Sequence, residues 1–304
     1  MSHSHGPVED NSLTRSNIAM KYLIRAAVLV LLMVRAKSHK SLSDGGILAA
    51  IATGIVHSAP LSSLFLVLLV VFYLTGSRFT KYKLEVKQSL TAHETDGGAK
   101  QQDKSQPTET RNYIQVLANS LFASLAIVGY LVTGQKHDLF LVGVVANYAA
   151  VTADTWSSEL GILSSKPPVL ITTLKPCPKG TNGGVSQLGL TVAALGGVVI
   201  GAISGSWVYF NLDWSAKRSL GLFVMTSFLG LYGSIVDSVL GAVLQQSVVN
   251  KQGKVVEAAG GGKLNKIEGK VCNGMDILSN NQVNLLMAGI TTGVGMALWH
   301  LLAA

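Results

Sequence analysis

The sequence predicts an all-α fold, a polytopic bundle of about eight transmembrane helices with its larger loops in the cytosol. Three observations point there. First, 48% of the 304 residues are hydrophobic and only 13% are charged, where a soluble chain of this length would carry about 25% charge. Second, apolar runs long enough to cross a hydrocarbon core of roughly 30 Å fall at about 18–34, 45–59, 61–76, 113–133, 139–156, 185–206, 220–244 and 283–303. Third, with eight crossings, 18 of the 24 Lys and Arg lie in the loops at 35–43, 77–112, 157–182 and 245–282, all on one side. The positive-inside rule makes that side cytosolic and puts both termini in the lumen or outside the cell.

Residues 1–17 form a short polar tail. It carries Glu9 and Asp10 ahead of the first apolar run, so it lacks the Arg-rich, acid-poor make-up of a transit peptide and is too polar for a cleaved signal. The first run is expected to stay as an anchor, and 18–304 to form a single transmembrane domain. The second, GGILAAIATGIVHSA, is the weakest and reads equally as half of a tight helical hairpin. After the third, SRFTKYKLEVKQ carries Arg78, Lys81, Lys83 and Lys87 and is expected to continue as an interfacial helix, its charges serving either anionic lipid or a bound phosphate. Residues 88–110, nearly free of large apolar side chains, read as a disordered cytosolic insert. Cys177 and Cys272, the only cysteines, suggest neither a disulfide scaffold nor a zinc site.

The chemistry concentrates in the later segments. A carboxylate at the centre of a membrane helix costs about 2.5–3.5 kcal/mol, so each one is a functional candidate. The fifth segment, LFLVGVVANYAAV, runs into ADTWSSELG with Asp154 and Glu159; the seventh, LGLFVMTSFLGLYGSIVDSVLGAVLQ, holds Asp237. Positions five apart differ by about 140° around a helix, so Asp154 and Glu159 cannot share a face while the helix stays regular. Asn147, Val151, Asp154 and Ser158 do share one. Gly230, Gly233, Ser234, Asp237, Ser238 and Gly241 make a face of small residues that another backbone or a ligand can approach, and a plain packing groove is its other reading. Before the sixth segment, Lys179, Gly180, Thr181, Asn182, Gly183 and Gly184 form a Gly-rich turn that reads either as a phosphate cradle at a helix N-terminus or as a tight turn; it is no Walker loop. RNYIQVLANS opens the fourth segment with Arg111, Asn112, Gln115 and Asn119, and NNQVN opens the eighth. Amides such as Asn119, Asn147, Asn280 and Asn281 more often cross-link helices in lipid than bind ligands.

ADTWSSELG, LITTLKPCPKGTNGGVS, GSIVDSVLGAVLQ, TKYKLEVK and NNQVN together resemble the integral membrane family of animal transmembrane protein 19 and the plant phytyl-phosphate kinases, over roughly residues 45–300. The resemblance implies transfer of a phosphoryl group from CTP or another nucleoside triphosphate, such as ATP, to an isoprenoid monophosphate. The matching positions are Asp154, Glu159, Gly180, Thr181, Asn182, Gly183, Gly184 and Asp237. Ser279 stands where an Asp is expected in animal relatives, Lys179 is not part of the motif, and the plant import signal is missing.

The expectation is therefore a membrane kinase with Asp154, Glu159 and Asp237 as catalytic residues holding Mg²⁺. The Gly180–Gly184 amides, with Lys179, Arg78 and Lys81, would bind phosphate, and Asn119, Asn147, Asn280 and Asn281 would give polar support. Its partners would be the lipid membrane and an isoprenoid phosphate, with no nucleic acid, in an endomembrane such as the endoplasmic reticulum. A cation- or proton-coupled lipid transporter and a non-enzymatic multi-pass protein are the alternatives.

Overall fold

The computed structural model describes residues 11–93, 110–135, 138–257 and 269–303. Its helices are α1 (Asn11–Ser38), α2 (Asp44–Ser58), α3 (Leu64–Lys81), α4 (Leu84–Leu90), α5 (Tyr113–Val132), α6 (Asp138–Gly161), α7 (Gln187–Asn211), α8 (Ala216–Leu244) and α9 (Asn280–Ala303). Seven of them are long and apolar enough to cross a membrane; α2 and α4 are not.

The second segment is thus short, about 22 Å at the helical rise, yet its ends reach the same two levels as those of α5. At its start Gly46 lies against the Arg111 carbonyl, just before α5. Beyond its end, the Leu61 amide donates to Gln135 Oε1, just after α5, at 2.8 Å. Arg25 secures the turn that makes up the difference: its guanidinium, buried within α1, donates to the carbonyls of Ser58, Pro60 and Leu61 and to Ser63 Oγ.

α6 is the axis of the bundle. Its residues from Leu141 to Ala153 are buried without a break, as befits a helix that is apolar all round. α3, α5, α7, α8 and α9 pack around it, and small residues let the backbones close. A methyl carbon on Gly196 of α7 would sit 2.9 Å from Ala153 Cα, and one on Gly233 of α8 would sit 2.6 Å from Ala150 Cβ.

The four larger loops gather at one end of the bundle. Leu42 bridges to Arg111, Lys81 Nζ donates to the His39 carbonyl, Ser186 Oγ donates to the Gly161 carbonyl, and the Asn182 amide donates to Ser247 Oγ. At the other end Trp214 stacks on Trp299 with centroids 5.3 Å apart, and Arg218 lies over Trp214 while pairing with Asp138.

Two local features depart from the sequence reading. The third segment does not continue as one helix: the chain turns at Lys83, whose φ of 49° lies in the left-handed region, before α4 begins. The loop-rich end also carries strands. β1 (Thr91–His93), β4 (Ser247–Asn250), β5 (Val255–Glu257) and β6 (Gly269–Asn273) form a sheet in the order β1-β5-β4-β6, and β2 (Val169–Leu170) pairs with β3 (Gly184–Val185). Of the expected insert at 88–110, residues 94–109 lie outside the described residues, and 88–93 complete α4 and form β1.

Candidate functional site

Asp154 and Asp237 meet because α6 and α8 run in the same direction in a fixed register. Gly233 of α8 faces Ala150 of α6, and one turn further along each helix comes a carboxylate. Both are half-buried, and they lie close enough for one charge to act on the other. α9 runs the opposite way alongside them. With its amide oriented so that nitrogen faces these acceptors, Asn284 donates to Asp237 Oδ2 at 3.2 Å and to the Asn280 carbonyl at 3.1 Å. Among the described residues no Lys or Arg pairs with either aspartate, and Asn284 is the amide that donates to one of them.

The Gly-rich turn rests directly over this level. Gly183, at φ 76°, packs on α8 so tightly that a methyl carbon there would come within 2.6 Å of the Ser238 carbonyl. Only glycine fits both that φ and that contact. Much of the turn's backbone is already bonded to protein: the Thr181 amide to the Pro178 carbonyl, the Asn182 amide to Ser247 Oγ, and the Gly184 amide to the Thr181 carbonyl. Of the turn's glycines, Gly180 and Gly183 have amides with no protein acceptor among the described residues. The tight-turn reading therefore explains most of this motif, and the turn sets Gly183 against α8 at Ser238 and Ala242, just beyond Asp237. Lys179 Nζ donates to the Ser164 carbonyl. Cys177 lies beside Thr181; burial pushes its thiol up, while the Thr181 hydrogen bond works against that.

Glu159 has gone elsewhere. α6 stays helical through Gly161, so the 140° separation holds. The carboxylate accepts from Lys87 Nζ and from Thr80 Oγ1, both at 2.6 Å. Arg111 donates to the same Thr80 hydroxyl at 3.3 Å. Burial lowers the Arg111 guanidinium from its ordinary range, with the Glu159 charge opposing. Arg78 is exposed, and Lys81 is tied to His39. The inward-facing cations of this flank are Lys87 and Arg111, not the two basic residues singled out by position.

The amides divide between structure and site. Asn112 and Gln115 form a capping box at the start of α5. Asn119 Nδ2 bonds to its own helix, at the Gln115 carbonyl, and Asn147 Nδ2 donates to the Asn119 carbonyl at 2.9 Å, linking α6 to α5. Asn280 is exposed and Asn281 half-buried; of the NNQVN residues it is Asn284 that reaches an aspartate. Sequence reasoning also passed over His57, fully buried at the end of α2. Its Nδ1 hydrogen-bonds with the Thr53 carbonyl and its Nε2 with the Tyr148 hydroxyl, at 2.8 and 2.6 Å. Its signal was an ionisable residue inside the apolar run GIVHSA.

A hard divalent cation suits the aspartate pair. Two carboxylates that have no basic partner among the described residues could supply the one or two oxygen ligands with which proteins hold Mg²⁺ against a substrate phosphate. Glu159 does not complete a third ligand: among the described residues no three acidic, His or Cys side chains gather as a metal cluster.

A family model described as integral membrane protein DUF92 matches residues 27–292. The chain is similar to protein PGR of Arabidopsis thaliana, with 34% identity over 88% of this chain and 92% of the relative. It is similar also to an uncharacterized membrane protein of Methanocaldococcus jannaschii, at 29% over 75% and 86%. Protein VTE6, chloroplastic, of Arabidopsis thaliana matches at 30% over 51% of this chain and 44% of the relative. No solved structure matches the chain.

Proposed function

Because the chain belongs to the integral membrane protein family DUF92, the family its DTW-x-SE and GTNGGVS motifs resemble, we propose that it is a membrane-embedded phosphotransferase. The donor is a nucleoside triphosphate, CTP in preference to ATP, and the acceptor an isoprenoid monophosphate such as phytyl or geranylgeranyl phosphate. The bond from the transferred phosphorus to the donor's bridging oxygen breaks, and a bond to an acceptor phosphate oxygen forms. The products are a nucleoside diphosphate and an isoprenoid diphosphate.

The observation that supports this reading is the Asp154–Asp237 pair, brought into register by the Gly233–Ala150 contact and without a basic partner among the described residues. The two carboxylates would hold Mg²⁺, whose charge would offset that of the transferred group. Asn284 fixes the Asp237 carboxylate. The Gly180 and Gly183 amides would receive donor phosphate oxygens, with Lys179 leaving the Ser164 carbonyl to join them. An acceptor phosphate is already anionic, so no strong general base is needed, and Glu159 serves to hold Lys87 and Arg111 in place rather than to move a proton.

Purified protein in detergent, given Mg²⁺, labelled CTP or ATP and phytyl or geranylgeranyl phosphate, should yield the labelled diphosphate. Asp154→Asn and Asp237→Asn should each lower the rate by about 100-fold or more, the scale seen when one group stabilising transition-state charge is lost. No product across a panel of donors and lipid phosphates, together with Asp237-dependent cation flux in vesicles, would replace the kinase with a transporter.

A further inference from the structure

A cavity of about 60 Å³ lies between α1, α2, α3 and α5, with neither aspartate in its lining. Leu29, Leu32, Leu69 and Phe72 give it an apolar lining, and Arg111 and Gln115, one turn apart at the start of α5, also border it. A cation beside such a lining needs a reason. Arg111 is held in place by its own backbone, which bonds to Ser41 and Ser43. Its guanidinium lies along Gly76 of α3, where a methyl carbon would be 3.2 Å from Nη2 and 3.5 Å from Thr155 Cγ2. The missing side chain thus leaves Arg111 beside the residue that follows Asp154.

The guanidinium's one hydrogen bond among the described residues goes to Thr80, and a guanidinium carries five N–H donors. Charge points the same way. Among the described residues two inward cations, Lys87 and Arg111, share the single carboxylate of Glu159, which leaves a surplus of one positive charge among them. Planar guanidinium recognises phosphate oxygens in a bidentate manner. A narrow apolar cavity with a surplus cation at its border fits one hydrocarbon chain ending in an anion.

We propose that this cavity receives the head-proximal part of the chain of an isoprenoid monophosphate, with its phosphate on Arg111. Naming the ligand's class rests on the phosphotransferase reading; the binding itself needs no turnover. The rest of the chain would follow the apolar outer faces of α1 and α5, which expose Leu31, Val34, Leu117 and Leu121. A single chain is expected because a cavity of about 60 Å³ has room for only a few carbons of one chain.

The test is photocrosslinking of the purified protein with a geranylgeranyl monophosphate analogue carrying a diazirine near its head, followed by peptide mapping. Labelling should fall on α1 around Leu29–Met33 or on the first turns of α5. Excess geranylgeranyl phosphate should suppress it, while geranylgeraniol and the two-chain lipid phosphatidate should not. Leu32→Trp, which fills the cavity, and Arg111→Met should each cut labelling about tenfold, Arg111→Lys should retain more than Arg111→Met, and the lipid-facing control Leu302→Trp should have no effect. Labelling spread over the outer surface, indifferent to Leu32→Trp, or competed equally by the alcohol or by phosphatidate, would overturn the proposal. The two readings fail separately. Specific labelling without product in the phosphotransfer assay refutes the kinase and keeps the site; product formation unaffected by Leu32→Trp, with no labelling in the cavity, refutes the site and keeps the kinase.

Discussion

Asp154 and Glu159 stand five residues apart on one regular helix, and the 140° between them sends them to different partners. Asp154 is legible as a candidate because a carboxylate in an apolar run has few structural explanations, and Asp237 is legible as one for the same reason. The place of Glu159 is not. Its partners Thr80 and Lys87 lie 79 and 72 residues away in sequence, and nothing short of the fold brings them to α6. The same holds for Arg111 and Asn284, which stand out in the motifs RNYIQVLANS and NNQVN but whose inward direction only the fold reveals.

The ion pair predicts a structural phenotype for Glu159. Glu159→Gln leaves Lys87 without its counter-charge, while the two side chains keep 22% and 10% of their exposure. The loss of stability should be about 1–3 kcal/mol, below the 3–5 typical of a fully buried pair. Thermal unfolding in detergent would measure it, and Lys87→Met combined with Glu159→Gln should cost less than the two changes summed. A variant Glu159→Gln that melts like the wild type yet loses all turnover would instead make this carboxylate a catalytic group.

At the scale of the elements, α6 was recognisable as a membrane helix but not as the axis. An apolar run that is buried on all sides and one that faces lipid have the same composition, and only the ring of neighbours tells them apart. The face of small residues on α8 supported both a packing groove and a ligand approach, and the structure shows why the choice was open: Gly233 packs directly on Ala150, and the carboxylates follow one turn later. Packing sets the site. Gly233→Leu should push α8 off α6, lower stability by about 1–3 kcal/mol through overpacking, and separate Asp154 from Asp237. Turnover measured well below the melting temperature should then fall by more than the folded fraction accounts for, whereas Gly221→Leu, where a side chain meets open space, should change neither. Loss of turnover that simply tracks unfolding would detach the site from this contact.

The Gly-rich turn shows the limit of reading a motif by composition. Glycines that free amides for an anion and glycines that permit close packing look alike in sequence. Here Gly183 is required by α8, and three neighbouring amides are bonded within the protein.

At the scale of the whole molecule, the four loops that the eight-crossing reading assigns to one side meet at one end of the bundle. Seven helices are long and apolar enough to span a membrane, and the short α2 reaches both ends of α5 through the turn that Arg25 holds. The small sheet at the loop-rich end was not legible, since strands of two to five residues leave little periodicity. The proposed orientation can be tested in sealed microsomes with a membrane-impermeant maleimide. Cys177 and Cys272 should react from the cytosolic side, and a cysteine placed at Gln135 in a chain lacking both should react only after permeabilisation. Because burial raises the Cys177 thiol, less of it is thiolate at neutral pH, so its labelling should quicken as the pH is taken above 8. Reaction of all three from one side would break the eight-crossing topology.

The account turns on whether Asp154 and Asp237 jointly hold a divalent cation, and Mn²⁺ titration of the purified protein followed by electron paramagnetic resonance asks this without relying on turnover. The prediction is one Mn²⁺ per chain in the presence of CTP, displaced by Mg²⁺, with affinity reduced by about 10-fold or more in both Asp154→Asn and Asp237→Asn and unchanged in the surface variant Asp213→Asn. Equal binding by the wild type and both aspartate variants would contradict it.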